Sequence, residues 1–160
     1  MDAIAGAVSG IAASWLMEWA QPRIMRAGSE ETRKREKRAQ GDMEPATYRT
    51  AEAAAHLVGR SLDDRQRKLG SEIVHYATGA AWGAMFGVLS RRVPAPFVAT
   101  GAAYGLLVWL LGDELLVPAL GLSRKPADYP ASTHAKALAS HLVYGTATDA
   151  GFRVLERVLH

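Results

Sequence analysis

The stretch FVATGAAYGLLVWLLG, residues 97–112, runs for 16 positions without a charged side chain. It contains Gly101 and Gly105, and the preceding apolar stretch, residues 73–89, contains glycines at the same four-residue spacing. This spacing puts glycines on one helix face. In a water-soluble helix each costs up to about 1 kcal/mol relative to alanine, whereas in lipid small residues let helices pack closely. The pattern predicts membrane helices that pack through Gly79, Gly83, Gly87, Gly101 and Gly105.

The apolar segments together predict an all-α integral membrane protein, a single helical membrane domain of about four spans. The predicted spans are residues 3–20, 73–89, 97–116 and 134–159. A span needs about 20 residues to cross about 30 Å of hydrocarbon. Trp15 and Trp19 lie near the end of the first span, where such rings favour the membrane interface, and we expect Pro22 to end that helix. The alternative fold is a water-soluble bundle rich in Gly and Ala.

A polar segment, residues 21–71, separates the first two spans and is expected to be a partly helical insertion. It contains 12 of the 19 Lys and Arg. With residues 121–133 it holds 14 of the 19 on one side of the membrane, and Arg91 and Arg92 lie on the other. The positive-inside rule then predicts a cytoplasmic location for this segment. Within it we expect a surface helix over residues 50–58, because strong helix formers dominate there.

Composition excludes several function classes. The chain has no Cys, so disulfides, thiolate metal sites and Cys nucleophiles are ruled out. It lacks the G-x-S-x-G, P-loop and H-E-x-x-H motifs, so we assign no enzyme chemistry and no cofactor. The basic cluster at residues 33–38 has no interleaved aromatics. We interpret it as a solvated helix or a contact for anionic lipid, and we expect the bilayer and membrane-protein partners, including copies of this chain, but no nucleic acid.

Ionisable side chains in or near the predicted spans form a candidate polar site, because charge at membrane depth is costly and usually functional. The candidates are Glu18, His75, Asp113, Glu114, His141 and Asp149. Asp113 and Glu114 are adjacent and would point about 100° apart on an α-helix. They either have separate roles or mark the end of the third span. Glu72 and His75 form only one Glu-x-x-His, which falls short of a four-helix di-metal site, so no metal is assigned.

The fourth span offers the clearest polar stripe, with His134, His141 and Asp149 on one helix face. Arg153 lies four residues beyond Asp149, a spacing that predicts an ion pair. His141 is the leading functional candidate, because histidine titrates near neutral pH and can carry protons or bind metals. The alternative is that His141 is purely structural, a buried histidine with one hydrogen bond to a neighbouring Tyr or Ser.

Short patterns within residues 72–150 resemble a known family. They are Val74-His75-Tyr76 with Gly79 and Gly83, Asp113-Glu114 with Pro118 and Leu120-Gly121-Leu122, and His134 with Ser140-His141-Leu142-Val143-Tyr144-Gly145. In this order they resemble the YagU-like family of small bacterial inner-membrane proteins, also called DUF1440. The resemblance implies a multi-span inner-membrane protein without an established activity. It marks His75, Glu114, Pro118 and His141 for attention, but supplies no catalytic residue and does not explain residues 21–71.

Three functions remain open at this point. The first is a proton- or ion-responsive protein of channel or transporter type that uses the buried His and carboxylates and is expected to form a homo-oligomer. The second is an accessory subunit that packs on membrane-protein partners through its glycine faces. The third is a haem- or metal-binding membrane protein that uses His75 and His141.

Overall fold

A computed structural model of the chain describes residues 1–90 and 97–159, and within these ranges all regular structure is helical. Arg91 and Arg92, which enter the predicted orientation, lie outside the described residues. The helices are α1 (Asp2–Arg26), α2 (Glu30–Gln40), α3 (Ala46–Leu57), α4 (Asp64–Ser90), α5 (Phe97–Val108), a π-helical segment (Trp109–Leu116), α6 (Val117–Ala119), a 3₁₀ turn (Pro126–Asp128) and α7 (Ala131–Leu159).

The expectation that Pro22 ends the first helix is wrong, because α1 continues to Arg26. Proline removes one backbone donor and crowds the carbonyl four residues earlier, but the helix continues past it, and guanidinium groups donate to two other carbonyls of α1. Arg23 Nη1 lies 2.7 Å from the Trp19 carbonyl oxygen, and Arg33 Nη1 lies 3.2 Å from that of Arg26. The helix therefore reaches the start of the polar segment without a break.

The insertion between α1 and the next long helix contains two short helices with recognisable starts. Ser29 caps α2, with its side chain accepting from the Thr32 amide at 3.1 Å. Helix α3 covers the predicted surface helix, beginning a few residues earlier at Ala46. Before α4, the Asp63 carboxylate accepts from the Gln66 amide at 2.8 Å. Such caps satisfy the amides that a helix start leaves unpaired.

The third predicted span does not end at Asp113 and Glu114. Helix α5 passes without interruption into the π-helical segment, and the helical path ends only at Ala119. Of the two alternatives, the one in which these acids mark the helix end is therefore wrong. A π-helix takes more residues per turn than an α-helix and is frequent at functional sites, and this segment contains both carboxylates.

Close backbone contacts hold the long helices together at two crossings. At the first, α1 meets α4, and a Cβ on Gly83 would lie 2.7 Å from the Gly10 Cα. At the second, α5 meets α7, and a Cβ on Gly145 would lie 2.6 Å from the Gly105 Cα. Real Cβ atoms do not approach other atoms so closely. The glycine faces are thus occupied by contacts within the chain. The accessory-subunit hypothesis had instead predicted that they contact a partner protein.

Aromatic rings fill the space between these crossings. Phe86 of α4 contacts Tyr104 of α5 and Phe152 of α7, with ring centroids 4.8 and 5.7 Å apart. Helix α7 packs on both α1 and α5, so it joins the two glycine crossings into one bundle.

The outer surface of the bundle is apolar. Large side chains of α1, such as Ile4 and Trp15, are exposed, while its buried residues are all Ala, Gly or Ser. Within the described residues, two helical stretches, Asp2–Arg26 and Thr100–Ala119, are long and apolar enough to cross a membrane. The other two predicted spans fall short of that test. Charged and polar side chains and repeated glycines lower the mean hydropathy of α4 and α7.

Candidate functional site

A cavity of about 630 Å³ opens at the end of the bundle where α1 finishes and α4 and α7 begin. We call it the vestibule. Its walls come from α1, α3, α4, the π-helical segment and α7, and the residues used below are Glu18, Tyr48, Lys68, Glu72, His75, Tyr76, Trp82, Asp113, His141 and Tyr144. Residues 45–50, at the start of α3, cover part of it. The polar insertion therefore contributes directly to this cavity.

Four of the six candidate residues line the vestibule: Glu18, His75, Asp113 and His141. The Tyr76 hydroxyl donates to Glu18 Oε2 at 2.6 Å. His75 Nε2 lies 3.3 Å from the Ser14 carbonyl oxygen, which ties the ring to α1. The vestibule thus gathers acids and imidazoles from helices that are far apart in the sequence.

Two histidines of α7 face two adjacent carboxylates of the π-helical segment. His134 Nδ1 lies 2.6 Å from Glu114 Oε1. Seven residues further along α7, His141 Nδ1 lies 3.7 Å from Asp113 Oδ2 and 2.9 Å from the Ala137 carbonyl oxygen. None of the Tyr or Ser partners expected for His141 provides a hydrogen bond in the described structure. Its one hydrogen bond goes to the backbone instead, and of the two neighbouring histidine–carboxylate pairs only His134–Glu114 lies within hydrogen-bond distance.

The π-helical geometry reduces the angle between the two adjacent acids, both of which contact α7. On a regular α-helix they would diverge by about 100°, but a π-helix takes more residues per turn, so successive side chains diverge less. Asp113 also lines a second cavity of about 210 Å³, together with Glu114 and His134. It lies between the two cavities and borders both.

A buried ion pair that the sequence did not predict fixes the insertion to the bundle. Lys136 of α7 is 8% exposed, and its Nζ lies 2.7 Å from Glu36 Oε2 and 3.1 Å from the Met25 carbonyl oxygen. Partial burial acts to raise the pKa of Glu36. Hydrogen bonds from Lys136 and Ser132 and the positive charges of Lys136 and Arg33 outweigh it, so this pKa lies below its ordinary value. A lone Lys in the predicted fourth span was the available signal.

Asp149, the remaining candidate, borders neither of these cavities. It is 1% exposed and forms the expected ion pair, with Arg153 Nε 2.6 Å from its Oδ1. Gly101 packs beside it, since a Cβ there would lie 3.2 Å from the Asp149 Cβ. This arrangement matches the structural role that the four-residue spacing predicted.

The structure also bears on metal binding. His75 and His141 line one cavity, but within residues 1–90 and 97–159 no three His, Asp or Glu side chains converge as a metal site requires. For a metal ion held by three or more such side chains, the third hypothesis therefore has no ready donor set in the described part of the chain.

Comparison with known proteins gives one match. A family model described as a protein of unknown function, DUF1440, matches residues 50–150, which is more than half of the chain. The matched region contains most of α3, the whole of α4, the π-helical segment and both histidines of α7. No curated protein and no solved structure matches the chain.

Proposed function

The chain belongs to the DUF1440 family, and from this starting point we propose that it is a four-span bacterial inner-membrane protein that responds to protons or ions through its vestibule. In this proposal residues 21–71 face the cytoplasm. Four helices are few to enclose a complete pathway, so ion flux would require copies of the chain to assemble.

The distribution of side-chain size supports a lipid environment. A water-soluble protein rarely exposes large contiguous apolar patches. Here the large apolar side chains of α1 point outward and its small residues point inward. The stretch Thr100–Ala119 is also mostly exposed, with only 17% of its most apolar window buried. This arrangement suits lipid, where helices associate through small residues at their interfaces.

The observation that carries the functional proposal is the shared vestibule of Glu18, His75, Asp113 and His141. Histidine changes charge near neutral pH, and His141 has a carboxylate within 4 Å. Protonation of the ring would change the charge of the cavity wall and its attraction for ions. The titratable groups that surround it from the other walls are Glu18, Tyr48, Lys68, Glu72, His75, Tyr76 and Asp113, and Tyr144 lines the cavity from α7 itself.

The test is a measurement of ion flux and of histidine titration with the same purified protein. Reconstituted vesicles would be given a pH gradient and followed with internal dyes for protons and for potassium. We expect a pH-dependent flux that His141→Gln and Asp113→Asn reduce by at least about tenfold. His56→Gln is the matched control, because His56 is exposed on α3 and borders neither cavity.

Two results would count against the proposal. One is the absence of any flux together with spectra in which the His141 ring does not respond to pH. The other is a flux that His141→Gln, Asp113→Asn and His56→Gln all leave unchanged.

A further inference from the structure

We propose that the vestibule binds a small organic cation. The inference rests on the proposed function in one respect: both assign the activity of the protein to the vestibule. It adds a class of ligand, and a direct measurement of ligand binding tests it.

Size is the first argument. The vestibule measures about 630 Å³, within the range of about 300–1,000 Å³ typical of small-molecule sites. A bare metal ion would leave most of this space empty, and no three metal-binding side chains converge in the described part of the chain. The cavity therefore fits an organic molecule better than an ion alone.

Charge is the second argument. Three carboxylates line the vestibule, Glu18, Glu72 and Asp113, and of the lining residues that the structure describes only Lys68 is a Lys or Arg. The Asp113 side chain is 42% exposed, so its carboxylate remains open to a ligand despite its contact with His141. Such walls attract a cation and repel an anion.

Aromatic rings from two helices complete the walls. Tyr48 comes from α3, and Tyr76 and Trp82 come from α4. Rings attract cations through their electron-rich faces, and quaternary ammonium groups are the ligands most often held this way. The Tyr76 hydroxyl already donates to Glu18, so its proton is committed to the protein. Carboxylates and rings together indicate an organic ammonium rather than a neutral or acidic ligand.

The test uses choline and its neutral carbon isostere, 3,3-dimethylbutan-1-ol, which differ in charge and hardly in shape. Full-length protein in a maltoside detergent, free of choline lipids, would be titrated with each by calorimetry at one fixed pH. We expect saturable binding of choline and binding of the isostere at least about tenfold weaker. Tetramethyl-, tetraethyl- and tetrapropylammonium extend the series in size.

Variants that remove charges of opposite sign should change the affinity for choline in opposite directions. Glu18→Gln and Asp113→Asn each remove an attractive charge and should weaken binding by about fivefold. Lys68→Gln removes a repulsive charge and should strengthen it by a similar factor. Glu30→Gln on α2 is the control, because Glu30 pairs with Lys34 outside the vestibule.

The inference is overturned if choline and its isostere bind equally, or if no member of the ammonium series saturates a protein whose unfolding midpoint is normal. Histidine titration is read separately from these measurements. If His141 titrates but no cation binds, the ligand class is wrong and the proposed function stands. If His141 does not titrate and flux is absent while choline binds, the proposed function fails and the cation site remains.

Discussion

Lys136 Nζ lies 2.7 Å from Glu36 Oε2, an ion pair between residues 100 positions apart. The two side chains are 9% and 17% exposed. The same ammonium group donates to the last turns of α1 through the Met25 carbonyl. One side chain of α7 therefore holds both α2 and the end of α1, which sets the position of the insertion relative to the bundle.

We first predict that Lys136→Gln destabilises the protein by about 3 kcal/mol, because it leaves the Glu36 carboxylate partly buried without its charged partner. The double variant with Glu36→Gln should recover part of this loss, which a double-mutant cycle of unfolding in detergent would measure. Lys34→Gln, in the exposed pair with Glu30, should cost less than about 1 kcal/mol. Equal effects of the two Lys variants would contradict the role given to Lys136.

The second prediction concerns pH. The folded protein holds the pKa of Glu36 below its ordinary value of 4.5, so the unfolded chain takes up this proton first as pH falls. The stabilisation from Glu36 is therefore present above the ordinary pKa and is lost as pH falls through the lowered folded value. Unfolding midpoints of the native protein and of Glu36→Gln should differ most near neutral pH and converge in acid. A constant difference down to about pH 3 would refute it.

The third prediction uses the glycine crossings. Gly83→Ala should separate α1 from α4, because its Cβ would lie 2.7 Å from the Gly10 Cα; we expect a loss of about 1–3 kcal/mol, as for overpacked cores. Gly112→Ala is the matched control, since its Cβ would meet only the Trp82 ring, at 3.9 Å. The measurement is unfolding in detergent. If both variants unfold alike, the crossing does not depend on a bare glycine.

The fourth prediction concerns the π-helical segment. Deleting Leu111, an exposed residue within it, should restore α-helical spacing and leave only one of the two acids facing α7. Histidine NMR spectra would then show that either His134 or His141 has lost its carboxylate partner, while Leu111→Ala keeps both. Unchanged spectra in the deletion variant would mean that the π-helix does not set the two pairs.

The fifth prediction tests orientation, and the absence of native Cys makes it direct. In spheroplasts, Lys34→Cys on α2 should react with a membrane-impermeant maleimide only after permeabilisation. Arg157→Cys near the end of α7 should react in intact spheroplasts. The reverse pattern would invert the topology, and labelling of both sites from one side would exclude the odd number of spans, three, that the proposed topology places between them.

Sequence patterns predicted the parts of this arrangement in which the spacing of a residue type indicates one kind of contact. Four-residue glycine spacing identified the faces that meet at Gly83 and Gly105, and the Asp149–Arg153 spacing predicted its ion pair. Glu18, His75, Asp113 and His141 were selected by cost of burial, but only the packing of α1, α4 and α7 brings them to one cavity.

Other features depend on contacts that a linear pattern does not contain. A π-helix has no simple sequence signature, so adjacent Asp113 and Glu114 were expected to diverge. The pairing of Lys136 with Glu36 requires α2 to fold back over α7, which no local spacing encodes. Pro22 was expected to end α1 because proline usually breaks a helix, and the packing of α1 on α4 and α7, which holds it as one helix, is visible only in three dimensions.

The packing partners of α1 have a consequence for how the chain is made. Helix α1 is synthesised early, yet its small-residue face meets α4 and α7, and α7 leaves the ribosome last of these helices. Until then the buried Ser9 lacks its α7 neighbour Gly151, although Ser14 can already meet Gly79 of α4. The nascent chain must therefore keep an unfinished interface stable in the bilayer, or shielded by the insertion machinery, for most of its synthesis.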